Sequence, residues 1–153
     1  MHLYSSEFLA GTFIPFKYTC DGENHSPPLT WEDPPPGTQS FVLIASDPDA
    51  PNGTFTHWVL YNMPADLRQL PESVPNHDSL PNGSRQAKND FDRIGFDGPC
   101  PPKGNHRYFF KLHALDRSLD IAPGASKEDV LQAMDAHVLD AAELMGLYGR
   151  ANF

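Results

Sequence analysis

Long apolar stretches are missing from this 153-residue chain, and so is any excess of basic charge. No run approaches the roughly 20 apolar residues that a membrane-crossing helix needs, so stable membrane insertion is not expected. Eleven Lys and Arg face twenty Asp and Glu, a formal net charge of −9. That balance opposes a sequence-independent grip on nucleic acid or on an anionic lipid surface. One local phosphate site stays compatible with it, because a pocket can differ in sign from the surface around it. Cysteine is nearly absent too: Cys20 and Cys100 stand 80 residues apart, too far for the common zinc spacings. The amino terminus, Met1-His2-Leu3-Tyr4-Ser5, shows no basic-then-apolar signal pattern. A cytoplasmic protein with reduced thiols is the first expectation, and a disulfide is the alternative should the two cysteine loops meet under oxidising conditions. The Asn52-Gly53-Thr54 and Asn82-Gly83-Ser84 sequons carry no meaning in such a chain.

What is abundant is proline. Sixteen prolines and eleven glycines cut the first two-thirds into short segments, which argues for β structure joined by long connections. The clearest strands are Ser40–Asp47, Thr56–Met63 and Arg107–Leu115, with weaker candidates at Phe13–Thr19, Leu29–Trp31 and Leu147–Ala151. From Ser126 to about Met145 the apolar residues Val130, Leu131, Met134, Val138, Ala141 and Met145 fall at helical spacing. Ser126 with Asp129 supplies an N-terminal cap and Gly146 a stop. The composition and this pattern predict one domain over residues 1–153, mostly β, as two packed antiparallel sheets with one substantial helix near the carboxyl terminus.

Two proline-set segments hold the groups that can carry a proton or meet an anion. The first is Asp47-Pro48-Asp49-Ala50-Pro51 with His57-Trp58. The second is Gly98-Pro99-Cys100-Pro101-Pro102 with His106-Arg107-Tyr108. Proline fixes its own φ and biases its predecessor toward extended backbone, so such loops can hold a cavity open without ligand. Asp47 and Asp49, two apart, would project to the same side of an extended stretch. His113 reads as a partly buried structural residue, and His2, His25 and His77 as solvated. His137 reads as a packing or hydrogen-bonding residue, Trp58 as core, and Arg107 as facing away from Tyr108. The polar loop from Pro71 to Phe96 is long enough to frame a pocket entrance.

With those residues stated, the chain resembles the phosphatidylethanolamine-binding protein family, or Raf kinase inhibitor-like proteins, in its compact bacterial and archaeal branch. The motifs run in family order: Tyr18-Thr19-Cys20-Asp21-Gly22, Ser26-Pro27-Pro28-Leu29, Asp47 to Pro51, His57-Trp58, Asn89-Asp90-Phe91, Gly98 to Pro102 and His106-Arg107-Tyr108. Asp92 stands where the family often has Gly, and the longer eukaryotic carboxyl-terminal extension is missing. The resemblance implies a β-sandwich with a small anion cavity at one end, lined by Asp47, Asp49, Ala50, Pro51, His57, Gly98, Pro101, His106 and Tyr108. Membership does not transfer kinase inhibition; the first reading is a non-enzymatic binder of a phosphorylated headgroup or peptide that modulates a partner such as a protein kinase or protease, with a homodimer as an option and no cofactor expected.

Two other classes compete. A hydrolase could use Asp47 with His57 or His106 for acid–base work, yet no Gly-x-Ser-x-Gly elbow, His-Glu-x-x-His motif or P-loop is present. A serine-protease inhibitor would act through a surface loop, and no obvious reactive loop appears. His57, His106, Asp47 and Asp49 are ligand types that suit zinc, although nothing in their spacing selects a coordination geometry.

Overall fold

The computed structural model describes residues 1–150; Ala151, the end of one expected strand, lies outside the described residues. Strands β1 (His2–Tyr4), β2 (Leu29–Glu32), β3 (Ser40–Asp47), β4 (Phe55–Pro64), β5 (Gln69–Leu70), β6 (Arg85–Gln86), β7 (Gly104–Leu115) and β8 (Val138–Arg150) are joined by helix α1 (Lys127–Met134) and a 3-10 turn at Phe16–Tyr18. They build two antiparallel sheets, β1-β2-β5 and β6-β4-β3-β7-β8.

The continuous apolar run of β3 follows from its position at the centre of the larger sheet, covered on both faces. Phe41, Leu43 and Ala45 face the layer between the sheets, where they join Leu3, Leu29 and Trp31 of the smaller sheet and Phe110 and Leu112 of β7. Val42 points the other way, into a second cluster with Val59, Tyr61, Val130 and Met134 under α1. Side chains alternate along β7, which begins before the expected Arg107: His106, Tyr108, Phe110, Leu112 and Ala114 are buried, while Arg107, Lys111 and His113 are more open.

Two bulges interrupt β4. Between Phe41↔Met63 and Leu43↔Leu60 the strand carries one extra residue, with Asn62 at φ +56. The Asn62 side chain then pairs reciprocally with the backbone of Leu119, at 2.8 and 2.7 Å. Between Ala45↔Trp58 and Ser46↔Thr56 the extra residue is His57. A bulge suspends the two-residue alternation, so His57 and Trp58 both reach the side that carries Tyr108.

The long helix expected from Ser126 to Met145 is corrected. Ser126 caps it, its Oγ accepting from the Asp129 N–H at 3.1 Å, but α1 stops at Met134. Ala136 then takes φ +64, a left-handed conformation that ends a right-handed helix. Residues 138–150 pair along the whole of β7 instead. Ala142 and Leu144 face the inter-sheet core. Gly146 is no helix stop: a Cβ there would sit 2.5 Å from Ile14 Cγ1 and 3.0 Å from Phe8, both in the core. The weak candidate at Phe13–Thr19 is a single bridge at Phe13 followed by the 3-10 turn.

Gly146→Ala should therefore lower the unfolding free energy by about 1–3 kcal/mol, the usual cost of overfilling a packed site. Urea titration measures it, and an unchanged midpoint would contradict this account of the β8 contact.

Candidate functional site

Three core rows end at the same edge of the sandwich, and each changes from apolar to polar there. The β3 row Phe41, Leu43, Ala45 ends in Asp47. The β7 row Leu112, Phe110 ends in Tyr108 and His106. Trp58 on β4 is preceded by the bulged His57. Around these ends lies a cavity of about 550 Å3.

Of the residues expected there, Asp47, Ala50, Pro51, His57, Pro101, His106 and Tyr108 line it. Asp49 is placed elsewhere. The chain leaves strand geometry at Asp47, whose Oδ1 accepts the Asp49 N–H at 2.8 Å, so the alternation that would have aligned the two carboxylates no longer applies. Asp49 instead takes three donors from Arg107: its N–H and Nε at 2.9 Å each and Nη2 at 2.8 Å. These donors hold the Asp49 carboxyl down at about 2. Gly98 also lies behind the wall. Its N–H is given to Asn24 Oδ1 at 2.7 Å, and a Cβ on it would meet Tyr18 O at 2.4 Å.

Hydrogen bonding fixes both imidazoles from behind. His57 Nδ1 lies 2.8 Å from the Asp97 carbonyl, which can only accept, so Nδ1 carries the hydrogen. His106 Nδ1 lies 2.6 Å from Asp47 Oδ2 and donates for the same reason. In each neutral ring Nε2 is left with its lone pair. Burial pushes the His57 pKa down, against the opposing pull of the Asp97 carbonyl and the Asp47 carboxylate. Tyr108 is pushed well above the usual phenol range by burial and then by Asp47, so its hydroxyl keeps its proton and can donate. The rings pack together, His57 to Tyr108 at 5.4 Å and His106 to Tyr108 at 6.4 Å.

The rest of the wall includes Asp90 and Phe91 of the Asn89-Asp90-Phe91 motif and Phe55, which no sequence pattern marks as a lining residue. Phe55 and Phe91 meet edge to face with centroids 4.7 Å apart, and each packs against the His57 ring. Asp90 lines the cavity while accepting from Thr56 N–H and pairing with Lys127. Asp97 holds the frame. Its carboxylate accepts from Asn89 Nδ2 at 2.8 Å, Arg93 Nε and Nη2 at 3.0 and 2.9 Å, and Asn24 Nδ2 at 3.2 Å. Asp97 lies in a loop without periodicity, and only its place between Asn89-Asp90-Phe91 and Gly98-Pro99 hinted at a role.

Cys20 and Cys100 are joined as a disulfide, Cα to Cα 5.4 Å, rather than reduced, because both loops fold over this end. Trp58 is wholly buried with Nε1 on Gln86 and does not line the cavity. His137 lies beyond α1 and pairs with Asp116.

A family model, phosphatidylethanolamine-binding protein, matches residues 4–149. The chain belongs to the phosphatidylethanolamine-binding protein family. One relative from Methanothermobacter thermautotrophicus, named a UPF0098 protein, is 55% identical over 150 residues, covering 98% of this chain and 99% of its own. YbhB of Escherichia coli, also named a UPF0098 protein, is 40% identical over 157 residues, 97% of this chain and 99% of YbhB. Two crystal structures share the fold of this family member. A Chlamydia trachomatis protein titled a phosphatidylethanolamine-binding protein homologue has TM-score 0.89, 40% identity and 97% coverage of both chains. Escherichia coli YbcL, titled a member of the mammalian family, has TM-score 0.90, 35% identity and coverage of 97% of this chain and 98% of its own. Among the described residues, no helix is long and apolar enough to cross a membrane.

Asp97→Ala leaves the buried Asn89 amide short of an acceptor, and should cost about 1–3 kcal/mol in urea unfolding. The exposed Arg93 adds little of that. Stability should also fall with acid. The His57 pKa is lower folded than unfolded, so the unfolded chain binds more protons as pH drops through about 6.5. His113, half-buried and likewise depressed by desolvation, adds the same sign. Thermal midpoints at about pH 7.5 and about pH 5.5 measure it, and His57→Gln should flatten the difference.

Proposed function

We propose that this family member is a non-enzymatic binding protein whose cavity takes a small anion, namely the phosphate of a phosphorylated headgroup or peptide. The observation that carries this is the fixing of both imidazoles through Nδ1, on the Asp97 carbonyl and on Asp47, beside a Tyr108 hydroxyl that stays protonated. Protonation of either ring then adds a donor at Nε2 and a positive charge. No reorganisation of the wall is needed to do so. A phosphorylated segment of a kinase or protease fits the same proposal, since the site would select it locally against the net charge of −9.

A hydrolase is the second reading, because the short Asp47–His106 contact is how a general base is oriented. Tyr108, held protonated, is a poor nucleophile there, which leaves Thr54, the other hydroxyl of the lining, or a water as what such a base would activate. Assays with generic phosphoesters and esters should give no turnover that Asp47→Asn or His106→Gln abolishes.

Binding should take up a proton, so anion affinity rises as pH falls. Calorimetry with sulfate, which stays fully ionised, isolates the protein's protons from those of phosphate. From about pH 8 to about pH 5.5, affinity for both anions should rise, by up to about tenfold per pH unit for one linked proton. His57→Ala and His106→Ala should each weaken binding at low pH. Flat sulfate affinity would sink the reading.

A further inference from the structure

The disulfide stands at the cavity with a cation against it. Cys100 is part of the lining, and Pro101 and Pro102 continue the same wall. Both cysteines are only half-buried. Arg150 Nη2 lies 3.3 Å from Cys20 Sγ and 3.5 Å from Cys100 Sγ. It is held there by Asp21, through Nη2 at 2.6 Å and Nε at 3.2 Å, and Asp21 is fixed in turn by the Tyr148 hydroxyl at 2.7 Å. A structural staple needs no guanidinium aimed at both of its sulfurs. A cleavable one gains from it, because the leaving sulfur departs as a thiolate and a nearby cation stabilises that charge.

The wall depends on this tether. Upstream, Cys20 N–H donates to the Pro99 carbonyl at 3.1 Å and Gly98 N–H to Asn24. Pro101 and Pro102 have no N–H to give. Once the bond is open, the stretch from Cys100 to the start of β7 loses its covalent tie to the 3-10 turn loop.

We propose that Cys20–Cys100 is a reversible redox latch on the cavity wall, opened by a dithiol reductant with Arg150 stabilising the thiolate released, and that its opening loosens the cavity's hold on an anion. The reductant's thiolate attacks one sulfur and the Cys20–Cys100 bond breaks, giving a mixed disulfide and a thiolate beside Arg150. The reductant's second thiol then resolves the mixed disulfide. Two electrons and two protons pass to Cys20 and Cys100, and the reductant leaves as its own cyclic disulfide. Only the effect on anion affinity rests on the function proposed above.

The first measurement is the rate of reduction by dithiothreitol, followed by thiol trapping and mass spectrometry. Arg150→Gln should be reduced at least about threefold more slowly than the wild type, and Asp21→Asn, which removes the carboxylate sharing the cation, should be reduced faster. Rates that do not move, or that move in the same direction, overturn the latch, since mere loosening of the loop would speed both. Amide exchange in the wild type is the second. Residues 98–106 should exchange about tenfold faster when reduced while the sheets stay protected. Unaltered exchange overturns the proposal, and so does global unfolding, which would make the bond a staple. Sulfate titration is the third: affinity should fall at least about threefold on reduction, and equal affinities overturn the proposal. Absence of sulfate binding in the oxidised protein would overturn the anion reading instead, with the other two measurements still deciding the latch.

Discussion

His57 gives its one ring hydrogen to the Asp97 carbonyl at 2.8 Å, from a position almost entirely out of water. A buried imidazole cannot leave that hydrogen unpaired without a penalty of about 1–3 kcal/mol, so the carbonyl must stay where it is. Everything around Asp97 serves that demand. Its N–H returns to the His57 carbonyl at 3.2 Å, and its carboxylate gathers Asn89, Arg93 and Asn24. Asn24 reaches on to Gly98, while Asn89 Oδ1 turns the loop by accepting from Phe91 and Arg93. One fixed ring thus sets the 89–97 loop, the start of the proline wall and the Phe91 ring that packs on His57.

The location of the cavity has an equally simple origin. A β-sandwich buries rows of alternating residues between its sheets, and at the ends of the strands the rows must meet water. In this chain the row on β3 ends in Asp47 and that on β7 in His106, so the two meet at 2.6 Å. Strand register alone would have turned His57 to the helix-covered face. The bulge at that residue brings it round to the same end, at the cost of one ladder position.

That distinction explains what could be read from the chain alone. Alternation along β7 and the two-sided apolar run of β3 are local patterns that made these strands legible, whereas Asp47, His106 and Tyr108 stood out by their place in the two proline-set segments and in the family motifs. The polar pairing that separates Asp47 from Asp49 is not local: it depends on Arg107, 58 residues on. The region after α1 misled for a different reason. Val130, Met134 and Val138 keep helical spacing, while Ala142 and Leu144 also satisfy alternation, so periodicity could not choose. Twelve pairs with β7 chose the strand, and Gly146, legible as a helix stop, is there because Ile14 and Phe8 leave no room for a side chain. The disulfide was open for the same reason as Asp49, since two cysteines 80 apart meet only once the fold exists.

The cations near this end decide how the cavity can work. Arg107 is bound to Asp49, Arg93 to Asp97 and Arg150 to Asp21, and Lys127 pairs with Asp90. No Lys or Arg is in the cavity lining, which instead contains the carboxylates of Asp47 and Asp90. An arginine-lined pocket keeps its charge at every physiological pH and would hold phosphate regardless of acidity. Under the anion-binding function proposed above, the attraction must come from imidazole protonation, which burial resists at His57. On that proposal, an anion and a proton taken up by the cavity would each raise the other's affinity by the same factor. With those four cations paired and none of them in the lining, proton uptake by the histidines is the source of positive charge left to the lining residues, and under the proposed anion reading their Nδ1 anchors take the part that guanidinium groups would otherwise play.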